Sequence, residues 1–386
     1  MDCSPRRSDA SGVDATRHLP KEAVGMTAAA AGLVRRKRAA SPNLRYRWSV
    51  AVLAVLLVAL MLLYVMVGPV LFAPDLVIKA LAGQPEEPLH RIAVREVRLP
   101  RALMAALAGA MLSSSGAFLQ SVLRNPLAAP ATVGITQGAV LGAVLALVLT
   151  FGSEGALDDL NTLVPLAAMA GGLAAGGLVY GLSYRRAGSD PLRLILTGVV
   201  VAAALSAATS FLVLLSGSHT DSIIRWLVGS LSTRTWDHLR FLVPVAVLAV
   251  PLAVATIPVG NVLQLGDATA VNLGLRAELA RAGVLTTAVV LAAGAVSVVG
   301  GIAFLGMMGP HLARTLVGSD LRRLVVCSAL VGAIILVAAD LMARTFSLDW
   351  IPLLSIETES GSRIPVGAFT ALVGAPFFVY LLRART

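Results

Sequence analysis

The sequence is poor in charge and in cysteine. Charged residues make up 13% of the 386 residues, whereas an average soluble domain carries about 25%. Hydrophobic residues make up 57%, so a soluble globular fold is excluded and an integral membrane protein is indicated. Cys3 lies in an N-terminal tail and Cys327 in an apolar run, which excludes a disulfide framework.

The sequence also lacks the residues that catalysis would need. The phosphate-binding pattern G-x-x-x-x-G-K-[ST] does not occur, so any ATP hydrolysis must take place on another polypeptide. The apolar runs carry no paired carboxylates and no Ser/His/Asp set, which argues against a membrane-embedded enzyme. We predict no catalytic residue, no cofactor and no metal site, because metal-ligand spacing is absent among the five histidines: His18, His90, His219, His238 and His311.

Positive charge is concentrated at the N-terminus. Residues 1–47 hold ten Lys/Arg and four Asp/Glu, which supplies six of the ten net positive charges. A basic segment directly before an apolar run is typical of a cytoplasmic anchor attracted to anionic lipid rather than of a nucleic-acid-binding protein. The run Ser49–Phe72 is long enough to span and shows no cleavage pattern. We predict a cytoplasmic tail over 1–47 and a transmembrane domain over 48–386.

Ten apolar runs predict an all-α polytopic fold. The stretch between Arg281 and Arg314 has 32 residues without a charge. As a helix it would be about 48 Å long, which is too long for one crossing of a hydrocarbon core of about 30 Å and too short for two. Gly300 and Gly301 form a natural break there. Ten spans put both termini and most loop arginines in the cytoplasm, as the positive-inside rule requires. The runs are 49–72, 102–123, 133–151, 163–184, 192–216, 241–259, 282–303, 304–317, 324–343 and 365–382.

The segment Gly266–Leu275 is a short polar interruption between two apolar runs. From Asp267 its pattern is acidic-Ala-x-Ala-x-x-x-Gly, and the span count places it in the cytoplasm. As a helix it would put Ala270 and Gly274 on one face, where a partner could approach the backbone closely. An ordinary interfacial connector is the alternative.

Arginines stand on the side of the membrane where the positive-inside rule does not expect them. Arg98 and Arg101 flank Pro100, which suits the start of a helix. At the membrane surface their guanidinium groups could grip carboxylates or lipid headgroups. Asp340 and Arg344 lie four residues apart near the same side, where an internal ion pair and an outward-facing contact are both open.

Three further segments predict features of the backbone: a turn, a break or bend in a helix, and a close-packing face. Asn125-Pro126 through Pro130 is a turn, because two prolines exclude a continuous helix. Gly309-Pro310 should break or bend the eighth span near Arg314. We expect the next residue, His311, to make a structural hydrogen bond. Glycines recur every four residues in the third span and allow a neighbouring helix to pack closely, at Gly134, Gly138 and Gly142.

Taken together and in this order, these segments resemble the permeases of binding-protein-dependent ABC importers for iron–siderophores, haem and cobalamin, the FecCD-type permeases. The resemblance runs from Arg98 to Leu382. Its pieces are RLPR at 98–101, NPLAAP at 125–130, WLVGSL at 226–231, GDATAVNLG at 266–274, GPHLAR at 309–314, GSDLRR at 318–323, ADLMAR at 339–344 and IPVGAFTALVGAPFFVYLL at 364–382.

The resemblance implies a cobalamin-importer-like fold of ten helices per subunit in the cytoplasmic membrane, with a second permease copy, identical or related, framing one path. It implies cytoplasmic ATP-binding subunits docked at Asp267, Ala268, Ala270 and Gly274. It implies an extracytoplasmic substrate-binding protein whose acidic residues contact Arg98, Arg101 and Arg344. The residues of the structural motifs are Asn125, Pro126, Pro310, His311 and Arg314.

The cargo is expected to be a ferric siderophore, since no His, Cys or carboxylate cluster could bind bare metal, with haem and cobalamin as alternatives. An ion-coupled secondary transporter is a further alternative, for which Asp340 is the one candidate carboxylate in the spans. The sequence departs from the family pattern at Arg363 and in the long segment 346–362, which carries Trp350, Glu357 and Glu359.

Overall fold

A computed structural model describes residues 42–68, 71–83, 88–151, 160–184, 190–216, 220–232, 234–345 and 364–383. The expectations for the tail before residue 42, for the segment 346–362 and for Arg363 lie outside these residues. The described part is all-helical, which confirms the predicted fold class. Its helices are α1 (Pro42–Met66), α2 (Pro74–Ala82), α3 (Pro88–Arg91), α4 (Leu99–Leu123), α5 (Ile135–Phe151), α6 (Leu160–Ser183), α7 (Pro191–Leu215), α8 (Thr220–Val228), α9 (Trp236–Gln264), α10 (Asp267–Asn272), α11 (Ala277–Val299), α12 (Leu305–Val317), α13 (Leu321–Thr345) and α14 (Val366–Arg383).

Each of the ten predicted apolar runs holds a helix, but the helices differ in length. Seven helical stretches in the described residues are long and apolar enough to cross a membrane: α1, the stretch α3–α4, α6, α7, α9, α11 and α13. Two shorter apolar helices are α5 and α14. The predicted eighth span is the 13-residue helix α12, about 20 Å long and too short to cross a 30 Å hydrocarbon core alone.

The helix that contains Pro100 begins earlier than its sequence suggests. We expected a helix start at Pro100, and this is wrong: the helix begins at Pro88 and passes through a π-helical stretch, Ile92–Arg98, into α4. The N–H of Leu99 bonds to the carbonyl of Val94 in the wider π pattern. Proline has no N–H and crowds the preceding turn, so the wider turn accommodates it without ending the helix.

The break predicted at Gly300-Gly301 is present. α11 ends at Val299, α12 starts at Leu305, and the connection contains two residues with positive φ, Gly300 at 77° and Phe304 at 64°. The expected break at Gly309-Pro310 is absent, because α12 continues through Pro310 to Val317. The helical break therefore lies before this helix rather than at Pro310.

Small residues let the central helices pack at backbone distance. A Cβ on Gly109 would overlap the Gly332 carbonyl of α13, and a Cβ on Gly116 would overlap the Gly306 carbonyl of α12. In α5, a Cβ on Gly138 would lie 2.5 Å from the carbonyl oxygen of Gly171 in α6, and Gly142 faces the same helix. This confirms the close-packing prediction for two of the three glycines. Gly134 precedes α5 at φ 82° and faces α7 instead.

The bundle has two ends, which we name by one residue each. The Arg98 end lies at the start of α4, and the Asp267 end lies at its finish, where Arg124 contacts Asp267. The start of α1, the end of α9, the end of α12 and the start of α13 also meet at the Asp267 end. They are joined there by hydrogen bonds from Arg45 to the Thr315 carbonyl (2.8 Å), from Arg323 to Asn43 (2.8 Å) and from Asn261 to Asp320 (2.9 Å).

Candidate functional site

The polar interruption at 266–275 forms a short helix across the Asp267 end. Gly266, with φ 109°, turns the chain out of α9, and α10 then spans six residues. Gly274, with φ 80°, takes the left-handed conformation after the helix ends and turns the chain toward α11. Glycine adopts both conformations without the Cβ clash that other residues would meet.

Asp267 connects α10 to the two long helices α11 and α4 through ion pairs. One carboxylate oxygen accepts from Arg281 of α11 at 2.8 Å, and the other accepts from Arg124, at the end of α4, at 3.0 Å. Arg281 also bonds Glu278 at 2.7 Å, and its side chain is 2% exposed. Charge-assisted hydrogen bonds at a buried guanidinium are stronger than surface pairs. Asp267 thus links α10 to both α4 and α11.

The face of α10 that points away from the bundle is not the predicted one. Ala270 is fully buried against the bundle, and Gly274 lies beyond the last helical residue, so the two do not share an open face. Ala268 is exposed, as a contact residue would have to be. The open surface at this end is instead formed by large apolar side chains, each more than half exposed: Leu265, Val271, Leu273 and Leu279.

At the Arg98 end, five residues form what we call the arginine cluster: Tyr64, Arg98, Arg101, Asp340 and Arg344. Arg101 holds the carboxylate of Asp340 at two points, Nε to Oδ2 at 2.8 Å and Nη2 to Oδ1 at 2.7 Å. The hydroxyl of Tyr64 donates to the same carboxylate at 2.5 Å. Asp340 is 1% exposed and Arg101 9%, so the pair is shielded from water.

Arg98 and Arg344 hold the end of α1. Arg98 donates to the carbonyls of Val65 (2.7 Å) and Met66 (3.0 Å), and Arg344 donates to those of Tyr64 and Val67. The last carbonyls of a helix have no partner within it, and arginine is well suited to satisfy them. Arg344 also lies over the Tyr64 ring, 3.7 Å from its centroid.

These positions change two of the predictions made for the arginines. The side chains of Arg98 and Arg101 are not exposed at the surface of this chain; both are buried and bonded within it. The ion pair of Asp340 forms with Arg101 rather than with Arg344, four residues away. Contact of the three arginines with a binding protein stays a prediction.

The residues of the structural motifs lie in the turn after α4 and within α12. The side chain of Asn125 accepts from the N–H of Leu127 at 2.9 Å and closes the turn that contains Pro126. Arg314 of α12 donates to Gln120 of α4 at 3.1 Å. His311 packs edge-on against Phe377, with ring centroids 5.9 Å apart; its hydrogen bond stays a prediction. Pro310 is buried within α12.

Sequence reasoning missed Tyr64, Arg124 and Arg234. Arg234 lies before α9 near the Arg98 end, where one guanidinium nitrogen is 3.0 Å from His238 and the group lies 5.8 Å from the centroid of Trp226. Burial lowers the pKa of Arg234 to about 10, because an apolar environment disfavours the charged form. None of the three stands in a pattern that marks it, and Tyr64 and Arg124 acquire their partners from distant parts of the chain.

Comparison with known proteins agrees with this geometry. The Fe(3+)-citrate import system permease protein YfmE of Bacillus subtilis is 34% identical over 87% of this chain and 94% of its own length. The Fe(3+) dicitrate transport system permease protein FecD of Escherichia coli is 36% identical over 76% of this chain and 86% of its own. A solved metal-chelate type ABC transporter in an inward-facing conformation matches with a TM-score of 0.71 and 29% identity, over 87% of this chain and 98% of that one.

The same assignment follows from the family comparison. The FecCD transport family matches residues 56–384, a stretch that contains the motifs from Arg98 to Leu382, and with them both Arg98 and Asp267. The chain is thus a multi-pass membrane protein that belongs to the FecCD transport family.

Proposed function

We propose that this chain is the membrane-spanning permease subunit of an ABC importer that carries a ferric siderophore or similar chelated iron across the cytoplasmic membrane. The energy comes from ATP hydrolysed on separate subunits, since the chain has no phosphate-binding loop of its own. The two curated relatives named above carry ferric citrate, and ferric citrate is therefore the first cargo to test. Haem and cobalamin are the alternative cargoes.

The observation that carries this proposal is the seating of α10. Its inner side packs on the bundle through Ala270, its Asp267 is bonded to α4 and α11, and the surface around it is apolar and exposed. An exposed apolar patch at a polar end of a membrane protein is typical of a docking surface. A cytoplasmic ATPase bound there would move α4 and α11 together as its nucleotide state changes.

The Arg98 end supports docking of an extracytoplasmic substrate-binding protein. The arginine cluster holds three guanidinium groups and one carboxylate, so it carries excess positive charge even with Asp340 paired. Acidic residues on an incoming protein would be drawn to this charge. We propose that Arg98, Arg101 and Arg344 respond to those residues, with the end of α1 as the element that they hold.

The arrangement of the ends supports an orientation with both termini in the cytoplasm. Arg45 of α1, Arg276 before α11, and Arg322 and Arg323 of α13 all lie at the Asp267 end. This accumulation of positive charge is what the positive-inside rule expects of the cytoplasmic side.

The outer face of α7 supports a second permease copy, identical or related. It exposes small side chains at Ala203, Ala204, Ala207 and Ala208, beside larger ones such as Phe211. Small residues on an exposed face allow a second helix to approach closely within a membrane. Lipid would cover other exposed apolar faces, such as that of α1.

The environment of Asp340 argues against an ion-coupled transporter. A coupling carboxylate must take up and release a cation during each cycle. Asp340, the sequence's one candidate in the spans, is instead held at both oxygens by Arg101 and at one of them by Tyr64.

The proposal is tested by copurification of the ATPase with the permease carrying Val271→Glu. Exposed apolar contacts dominate the proposed docking surface, so this variant should lose most of the bound ATPase. The matched control is Ile78→Glu on α2, an equally exposed apolar residue at the other end, which should copurify normally. Normal ATPase binding by Val271→Glu would overturn the docking assignment.

A further inference from the structure

A cavity of about 230 Å³ opens at the surface of this chain beside the exposed Ser206 of α7. It is bounded by α5, α7, the end of α8 and the connection between α11 and α12. The residues that matter for its chemistry are Thr136, Gln137, Ser206, Thr209 and the stretch 301–303.

The cavity lies at membrane depth. Ser206 and Thr209 are well inside α7, away from both of its ends. Two helices begin at the cavity, α5 at Ile135 and α12 at Leu305. Backbone that is not helical at membrane depth is tolerated only where it is buried in protein or lines a water-filled cavity. The broken chain at Gly301 is therefore either buried in protein or borders a water-filled space, and the cavity beside it fits the second case.

Polar side chains converge on this space. The hydroxyl of Thr209 donates to the Leu205 carbonyl at 2.8 Å, which leaves its oxygen able to accept. Gln137 also lines the cavity, and its amide oxygen is buried with no hydrogen-bond partner among the residues that the structure describes. A buried amide oxygen without a partner is unfavourable, and polar residues inside membrane spans mark substrate pathways. Rotation of the Gln137 amide toward the cavity would let a passing polar ligand satisfy this oxygen.

We propose that this cavity is a contact point for the cargo, in which Gln137 hydrogen-bonds the polar rim of a ferric chelate. This inference rests on the proposed function and deepens it. The carboxamide both donates and accepts, so it suits rims that carry hydroxyl, carboxylate or amide groups, as in citrate-type and hydroxamate-type chelates. The cavity is smaller than the roughly 300–1,000 Å³ of a pocket that encloses a drug-sized ligand. It therefore receives one edge of a chelate while the remainder occupies the path outside.

The test uses the assembled importer in proteoliposomes, with its ATPase, second permease and binding protein loaded with ferric citrate. Gln137→Met keeps the length of the side chain and removes the amide. Uptake of iron should fall about five-fold, the equivalent of one neutral hydrogen bond. ATP turnover stimulated by the loaded binding protein should stay within about two-fold of the unmodified complex, since one hydrogen bond lost in the path leaves docking intact. Thr197→Val is the control, because it removes a polar group from α7 away from the cavity, and it should leave uptake unchanged.

Two results would overturn the cargo contact. One is uptake by Gln137→Met equal to that of Thr197→Val, which would make the amide dispensable. The other is a parallel loss of uptake and of ATP turnover, which would place Gln137 in assembly rather than in transport. Failure of the proposed function gives a different result: the unmodified complex hydrolyses ATP but moves no ferric chelate.

Discussion

The guanidinium of Arg101 and the carboxylate of Asp340 meet in a two-point ion pair that joins α4 to α13 across 239 positions of sequence. Both side chains are buried, and the hydroxyl of Tyr64 from α1 completes the site. Three helices are thus joined at one carboxylate, directly beside the two arginines that hold the end of α1.

This pair should behave as a coupled unit in stability measurements. Asp340→Leu leaves the buried Arg101 charge without a partner and should lower the free energy of unfolding by about 3–5 kcal/mol. The double variant with Arg101→Met removes both charges and should recover most of that loss. Thermal unfolding of the purified permease in detergent measures both. A double variant as unstable as the single one would contradict the pairing.

Arg344 provides the cleaner test of the binding-protein surface, because replacing Arg101 by an acidic residue would also place two carboxylates together. Arg344→Ala should weaken the stimulation of ATP turnover by the loaded binding protein roughly ten-fold, as expected for loss of a charge-assisted contact. Basal turnover should be unchanged.

The matched control for Arg344 is Arg95→Ala. Arg95 also donates to a backbone carbonyl at the Arg98 end, that of Leu81 at 3.2 Å, but it lies outside the arginine cluster. Equal effects of the two variants on stimulation would show that loss of a structural carbonyl bond, rather than docking, explains the result.

Asp267 should couple the ATPase to the bundle rather than recruit it. Asp267→Asn cannot hold Arg124 and Arg281 as a carboxylate does, so stimulated ATP turnover should fall roughly ten-fold while the ATPase still copurifies. Asp237→Asn is the control, since it removes one charge from an exposed pair with Arg240, and such pairs contribute little. Loss of ATPase binding by Asp267→Asn would mean that this residue recruits the partner instead.

Backbone packing at Gly116 predicts a large difference between two glycine substitutions. A Cβ at Gly116 would overlap the Gly306 carbonyl, whereas a Cβ at Gly177 would meet nothing within 4 Å in the described part of the chain. Gly116→Ala should therefore lower the free energy of unfolding of the permease by about 1–3 kcal/mol or more through overpacking. Gly177→Ala should be neutral or stabilise α6 by about 0.5–1 kcal/mol. Unfolding midpoints compare the two, and similar midpoints would refute the close packing of α4 against α12.

Much of the fold follows from the sequence because membrane spans are encoded by composition and length. The ten apolar runs all hold helices, and the uncharged stretch after Arg281 was long enough to require a break at Gly300. The lengths of the helices were less predictable. α12 is short because the chain re-enters the bundle after two residues with positive φ, and Phe304 gives no sequence signal for that conformation.

The sequence predicted where the polar segments lie better than it predicted which side chains they expose or pair. The position of α10 was predicted from its polarity, but its exposed face depends on where the helix ends, and the positive φ of Gly274 ends it before a shared face with Ala270 can form. Likewise, helical spacing allowed Asp340 to pair with Arg344. The unpaired carbonyls at the end of α1 bind Arg344 instead, and they come from a segment about 280 positions away.

The most direct test of the transport mechanism is uptake of radiolabelled ferric citrate into proteoliposomes that contain the permease, its ATPase and the loaded binding protein. The proposed mechanism predicts that vanadate, which blocks ATP turnover, abolishes uptake and that a protonophore leaves it unchanged. Uptake that persists with vanadate and collapses with the protonophore would contradict an importer driven by ATP.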